Sequence, residues 1–170
     1  MRTEPNAIQR LHDVFVRVVC TLQSPFLLVI RLYWGWQFAQ TGWGKLHSLP
    51  QVTEYFASLG LPAPGFTATF VATFEFVGGI LLAIGLLSRI TALGMVIDMI
   101  MAYVAGDKEA LHAFFSNFDK FYNAAPYIFL FVGLIILIFG PGKLSLDTLL
   151  DRMIRKRKYS EAVNASSSGT

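Results

Sequence analysis

Four stretches of this chain, at about residues 18–44, 66–87, 90–106 and 126–140, are apolar almost without interruption, each bounded by charges, glycines or prolines. A helix needs about 20 such residues to cross roughly 30 Å of hydrocarbon. Within hydrocarbon the backbone must satisfy its own hydrogen bonds, which leaves helices and closed barrels. These runs lack the in–out alternation of barrel strands. Charged residues are 15% of the chain, against about 25% in soluble domains. The fold expected is all-α: a four-helix transmembrane bundle over residues 18–142.

The flanks orient it. Residues 1–17 form a charged lead with Arg2, Arg10 and Arg17. No small-residue cleavage site follows a short apolar core there, so a retained helix is expected rather than a cleaved signal peptide. With Arg89, Lys143, Arg152, Arg155, Lys156, Arg157 and Lys158, ten basic residues fall on the side of the termini, against Lys45, Lys108 and Lys120 on the other. Basic residues favour the cytoplasmic side. A multi-pass protein of the cytoplasmic (inner) membrane with both termini inside is expected.

The two longer outer loops carry helical patterns. "SLPQVTEYFASLGLPAPG" places Ser48 and Gln51 at capping-box spacing, with Val52, Tyr55, Phe56 and Leu59 on one face, and stops at Gly60. In the second loop Leu111, Phe114, Phe115, Phe118, Phe121 and Tyr122 share a face, which suits the interface or the mouth of the bundle. After Gly140 and Pro141, residues 143–158 form a basic amphipathic helix with Leu146, Leu149, Leu150, Met153 and Ile154 on its apolar side. Such a helix suits anionic lipids of the cytoplasmic leaflet. The Ser-rich end, 159–170, has no core-forming capacity, and a disordered tail is expected.

Three ionisable residues interrupt the spans: Arg31, Glu75 and Asp98. Counting about 1.5 Å per residue from the expected span ends puts all three near mid-membrane. An unpaired charge there costs at least about 2.5 kcal/mol, and such groups face the bundle interior. Helical stripes agree. Arg31, Gly35, Phe38, Gly42 and Lys45 lie on one, and Glu75, Gly78, Leu82, Gly85 and Arg89 on another, with Gly79 beside it. Thr91, Gly94, Asp98, Ala102 and Ala105 form a third. The glycines let helices approach closely. Two readings stand: an Arg31–Glu75 pair that fixes helix register, or a polar-floored pocket of Arg31, Glu75 and Asp98, with Lys45 and Arg89 as further candidates, in which Trp34, Trp36 and Trp43 offer rings to a flat lipophile while Arg31 donates to its carbonyl oxygens. Trp43 fits the interfacial tryptophan belt.

Other chemistries find little support. A lone Cys20 excludes an internal disulfide or a C-x-x-C pair. His47 and His112 have no metal-ligand spacing around them, so no metal is expected. Nucleotide-binding motifs are absent, and the basic tail adjoins a membrane helix, so nucleic acid is not an expected partner.

The segments "RLYWGWQFAQTGWGKL" (31–46), "LGLPAPG" (59–65), "FEFVGGILLAIGLLSRITALG" (74–94) and "GPGKLSLD" (140–147) together resemble the DoxX family of small bacterial and archaeal membrane proteins. The resemblance covers about residues 25–150. It implies a four-helix fold, with Arg31, Gly35, Gly42, Lys45, Glu75, Gly79, Gly85, Arg89, Gly140, Gly142 and Asp147 matching the family pattern. One departure is "NAAPYIF", with Pro126 where many relatives carry an acid. The family's name comes from a component associated with quinol oxidation and thiosulfate:quinone oxidoreduction. The function expected is a non-catalytic subunit or lipophile-binding protein in a redox or stress-response context, with quinone as the candidate ligand. It would work with a redox-protein partner or as a homo-oligomer. The alternatives are a membrane subunit of a thiosulfate:quinone oxidoreductase and a small proton-coupled transporter.

Overall fold

The computed structural model describes the backbone of residues 7–167 and the side chains of 8–160. The first six residues, Arg2 among them, and the last three lie outside it. Eight helices follow one another among the described residues: α1 Ala7–His47, α2 Leu49–Ser58, α3 Pro64–Ile84, α4 Ser88–Ala105, α5 Lys108–His112, α6 Phe118–Tyr122, α7 Pro126–Phe139 and α8 Leu146–Ser167. α1, α3 and α4 are long and apolar enough to cross a bilayer. α7 is apolar throughout, but its 14 residues reach only about 21 Å.

The first apolar run is part of a longer helix than the hydropathy suggests. α1 has 41 residues, about 62 Å of helix, and every side chain from Ile8 to Gln23 is exposed. Only from Leu27 onward does α1 enter the bundle. There it lies antiparallel against α3 in the most extensive packing of the molecule. The approach is backbone on backbone. A Cβ on Gly35 would stand 2.8 Å from both the Ala83 nitrogen and the Gly79 oxygen, and one on Gly42 would run into the Phe76 nitrogen. A Cβ on Gly79 would collide with the Ala39 nitrogen. Gly78 faces the other way, toward Thr91 of α4.

α4 packs on α7, where Gly133 admits Val96. Phe38, Leu82, Met95, Met99, Val132 and Ile136 meet between the two helix pairs as the apolar core.

The ends of the bundle differ. At the loop end sit α2, α5 and α6. The capping box does not form: the Ser48 hydroxyl donates back to the Gly44 carbonyl at 2.8 Å, and Pro50 opens α2 instead. The second loop is two short helices rather than one. It folds over the bundle mouth, because Phe121 stacks on Tyr103 at 4.5 Å and accepts a hydrogen bond from its hydroxyl at 2.8 Å.

At the turn end, α3 stops at Gly85 (φ +76°), and Leu87 (φ +51°) begins α4. A left-handed leucine costs about 1–2 kcal/mol. Asp147 offsets this by accepting hydrogen bonds from the Leu87 and Ser88 amides at 2.8 and 2.9 Å, while its own amide donates to the Gly85 carbonyl. The start of α8 is thus strapped across the α3–α4 turn. α8 then continues to Ser167, past residue 158 where the basic amphipathic segment was expected to end.

Candidate functional site: a loop-end cavity with a charged floor

The antiparallel register of α1 and α3 decides which charges meet. Gly35 lies level with Ala83, and Gly42 with Phe76. Lys45, one turn beyond Gly42, therefore reaches Glu75, and its Nζ donates to Glu75 Oε1 at 2.5 Å. Asp98 of α4 stands beside both. Three helices bring one ammonium and two carboxylates to a single point. Glu75 is 2% exposed, yet its Oε2 and the Oδ2 of Asp98 have no hydrogen-bond partner.

These groups floor a cavity of about 720 Å³ between α1, α2, α3, α4 and α7. Phe38, Phe70, Phe74 and Phe129 form much of its wall, and α2 lays Tyr55 and Phe56 across it. Gly94 makes room for the Phe74 ring, whose tip a Cβ there would strike. On the α4 stripe, Gly94, Asp98, Ala102 and Ala105 all line the space. Volume and lining match small-molecule sites, which are mostly apolar with a few convergent polar groups.

Arg31 is elsewhere. Ten residues separate Glu75 from Gly85, about 15 Å of helix, and Arg31 lies at the Gly85 level. Its Nη2 donates to the Leu144 carbonyl at 2.7 Å, and its guanidinium fills the space that a Gly85 side chain would take. Asp147 supplies a compensating charge nearby. The side chain is fully buried, with Nε and Nη1 unpaired. An Arg31–Glu75 pair is therefore not formed: depths counted from the ends of the apolar runs missed the true register.

The expected tryptophan walls are displaced as well. Trp34 packs edge-on against Phe129 beside the core, and Trp36 is 62% exposed on the outer surface. Neither lines the cavity. Arg89 turns away at the turn end and lies over Gly140. Of the expected site residues, Lys45, Glu75 and Asp98 come together. The aromatic wall, and the place of Asp107 just before α5 on that wall, were not legible as one site, although Tyr55 and Phe56 share the apolar face of α2 in the sequence. Among the described residues no group of His, Cys, Asp and Glu is arranged to hold a metal.

Comparison with known proteins agrees with this architecture. The DoxX family profile matches residues 26–107, from the packed part of α1 to the residue before α5. The chain belongs to the DoxX family. Rv3486 of Mycobacterium tuberculosis, an uncharacterized membrane protein, is 33% identical over 75% of this chain and 83% of its own length. The inner membrane protein YqjF of Escherichia coli is 31% identical over 77% of this chain and 96% of its own. CatD of Bacillus subtilis, provisionally named an oxidoreductase, is 28% identical over 71% and 83%. No solved structure matches the chain. This DoxX protein is thus an all-helical membrane protein whose family match contains the Lys45–Glu75–Asp98 cluster.

Proposed function

We propose that this DoxX protein binds a lipophilic molecule in the loop-end cavity, as a non-catalytic membrane component in a redox context. The observation that carries the reading is an apolar space of about 720 Å³ whose floor holds buried, incompletely paired charges. A bundle that needed Glu75 only for register would close around it. Lys45 has two N–H donors beyond the bond to Glu75, so a ring carbonyl of a quinone-type molecule has a partner there. The redox context rests on the family resemblance and on the provisional name of CatD.

The membrane placement belongs to the same proposal. α7 serves as the fourth span, its shortness met by local thinning of the bilayer. The basic residues of the turn end favour a cytoplasmic position for both termini, and the inner-membrane name of YqjF supports the cytoplasmic membrane as the location. α8, with Arg152, Arg155, Lys156, Arg157 and Lys158 beside exposed Leu149, Met153 and Ile154, rests on anionic lipid.

The test is retention of a short-tailed quinone analogue by protein in nanodiscs, counted by native mass spectrometry. The unmodified protein should hold one molecule. Gly94→Val, which drives Phe74 into the cavity, should cut retention at least tenfold while thermal unfolding changes little. A protein that retains no quinone and no other lipophile defeats the proposal.

A further inference from the structure

The charge balance of the cavity points beyond a generic lipophile. Its charged lining residues are Lys45, Glu75, Asp98 and Asp107: three acids against one base. Inside the bundle a net negative site is costly unless a proton or another cation joins it, because low-dielectric surroundings penalise an isolated carboxylate heavily. Of the buried side-chain atoms without partners, the two that belong to residues lining this cavity are carboxylate oxygens, Glu75 Oε2 and Asp98 Oδ2. A carboxylate accepts hydrogen bonds and donates none. A carbonyl-headed ligand can accept from Lys45 but leaves both carboxylate oxygens without a donor. An ammonium head supplies several N–H donors and the missing charge together.

We propose that the cavity selects a lipophilic cation, an amine or ammonium-headed molecule whose N–H groups donate to Glu75 Oε2 and Asp98 Oδ2 while its apolar part lies among Phe38, Phe70, Phe74 and Phe129. This rests on the reading of the cavity as a lipophile site and specifies the head it takes. Asp107 adds a third negative charge at the loop end, where such a cation enters. Lys45 holds Glu75 in place and keeps its Oε1 occupied, leaving Oε2 for the ligand.

The experiment compares ligands with one tail and different heads: decylamine, decyltrimethylammonium, decanol, 2-undecanone and decanoate. Each competes for the protein in zwitterionic phosphatidylcholine nanodiscs against a bound apolar fluorophore, with empty nanodiscs subtracting partition into lipid. Decylamine should displace the fluorophore at a concentration at least tenfold lower than the ketone or the carboxylate. Decyltrimethylammonium, charged but without N–H donors, should fall between.

Asp98→Asn leaves the Lys45–Glu75 bond in place and should remove most of that preference, as should Glu75→Gln where it folds. Equal affinity for amine and ketone overturns the inference while the lipophile site stands. So does an amine preference that survives Asp98→Asn. If no head displaces the fluorophore and no quinone analogue binds, the lipophile site itself fails, and this inference with it.

Discussion

Two buried charged centres share the α1–α3 interface, and they are built in opposite ways. At the turn end Arg31 is sealed: the α7–α8 link supplies the Leu144 carbonyl, Gly85 gives up its side-chain space, and Asp147 balances the charge while strapping the α3–α4 turn. At the loop end the Lys45–Glu75 pair is buried on one side and opens on the other into a large apolar cavity, with Asp98 across from it. The first centre holds polypeptide to polypeptide. The second holds polypeptide at its back and leaves its front for something else. A buried charge in a membrane bundle is therefore not a functional site by position alone; whether a cavity opens beside its remaining polar atoms decides.

The glycine contacts between the two centres set the register on which both depend, so breaking them should have the largest effect. In Gly42→Ala the new Cβ meets the Phe76 backbone nitrogen, which cannot move aside as a side-chain tip could. The helices must separate or slide, at a cost of about 3 kcal/mol, the upper part of the usual range for overpacking. Thermal unfolding in detergent should show a large loss of stability, and quinone or amine binding should disappear with the register. Gly44→Ala, with nothing within 4 Å of its Cβ, is the control that should stay folded.

That register is also where the sequence stops being legible. The apolar runs, the three glycine-bearing stripes and the inward direction of the charges can be read from spacing, because helical periodicity alone sets them. Pairing across helices depends instead on how far one slides past another. Span ends read from hydropathy placed Arg31 opposite Glu75, whereas the Gly35–Ala83 and Gly42–Phe76 approaches place Lys45 there. Both basic residues sit on one stripe, so face analysis cannot choose between them. The cavity was hidden for another reason: Phe74, Tyr55 and Phe129 come from three elements, and no local pattern says which aromatic side chains leave a space and which fill one. Asp147 drew notice only through the family resemblance, since its work is done on the amides of Leu87 and Ser88, 60 and 59 residues away.

A moderate effect should separate the two centres. Arg31→Met keeps much of the volume and removes the charge, so the Leu144 carbonyl loses its donor and Asp147 its neighbouring cation. Hydrogen bonds from charged groups contribute about 1.5–3 kcal/mol, and the methionine recovers some of that through apolar burial. A stability loss of about 2 kcal/mol is expected in thermal or denaturant unfolding. Ligand affinity at the loop end, measured at a temperature where the variant is fully folded, should stay within twofold. A large affinity loss in folded Arg31→Met would mean that the two centres act as one.

The smallest effect is expected at Trp36, and it tests the comparison from outside. An indole on the same helix as Arg31 and Lys45 invites a role in binding, yet this one is 62% exposed on the surface that faces lipid, and the cavity wall is made by phenylalanines on other faces. Trp36→Phe preserves an aromatic ring toward the hydrocarbon and touches neither charged centre. Unfolding should shift by less than about 0.5 kcal/mol, the usual range for surface substitutions away from caps, pairs and cores, and displacement of the fluorophore should be unchanged. Phe74→Leu makes the contrast: a smaller volume change, on the cavity wall, with the greater effect expected on binding. If Trp36→Phe weakens binding more than Phe74→Leu does, the ligand lies on the outer face of α1, and the loop-end cavity is not its site.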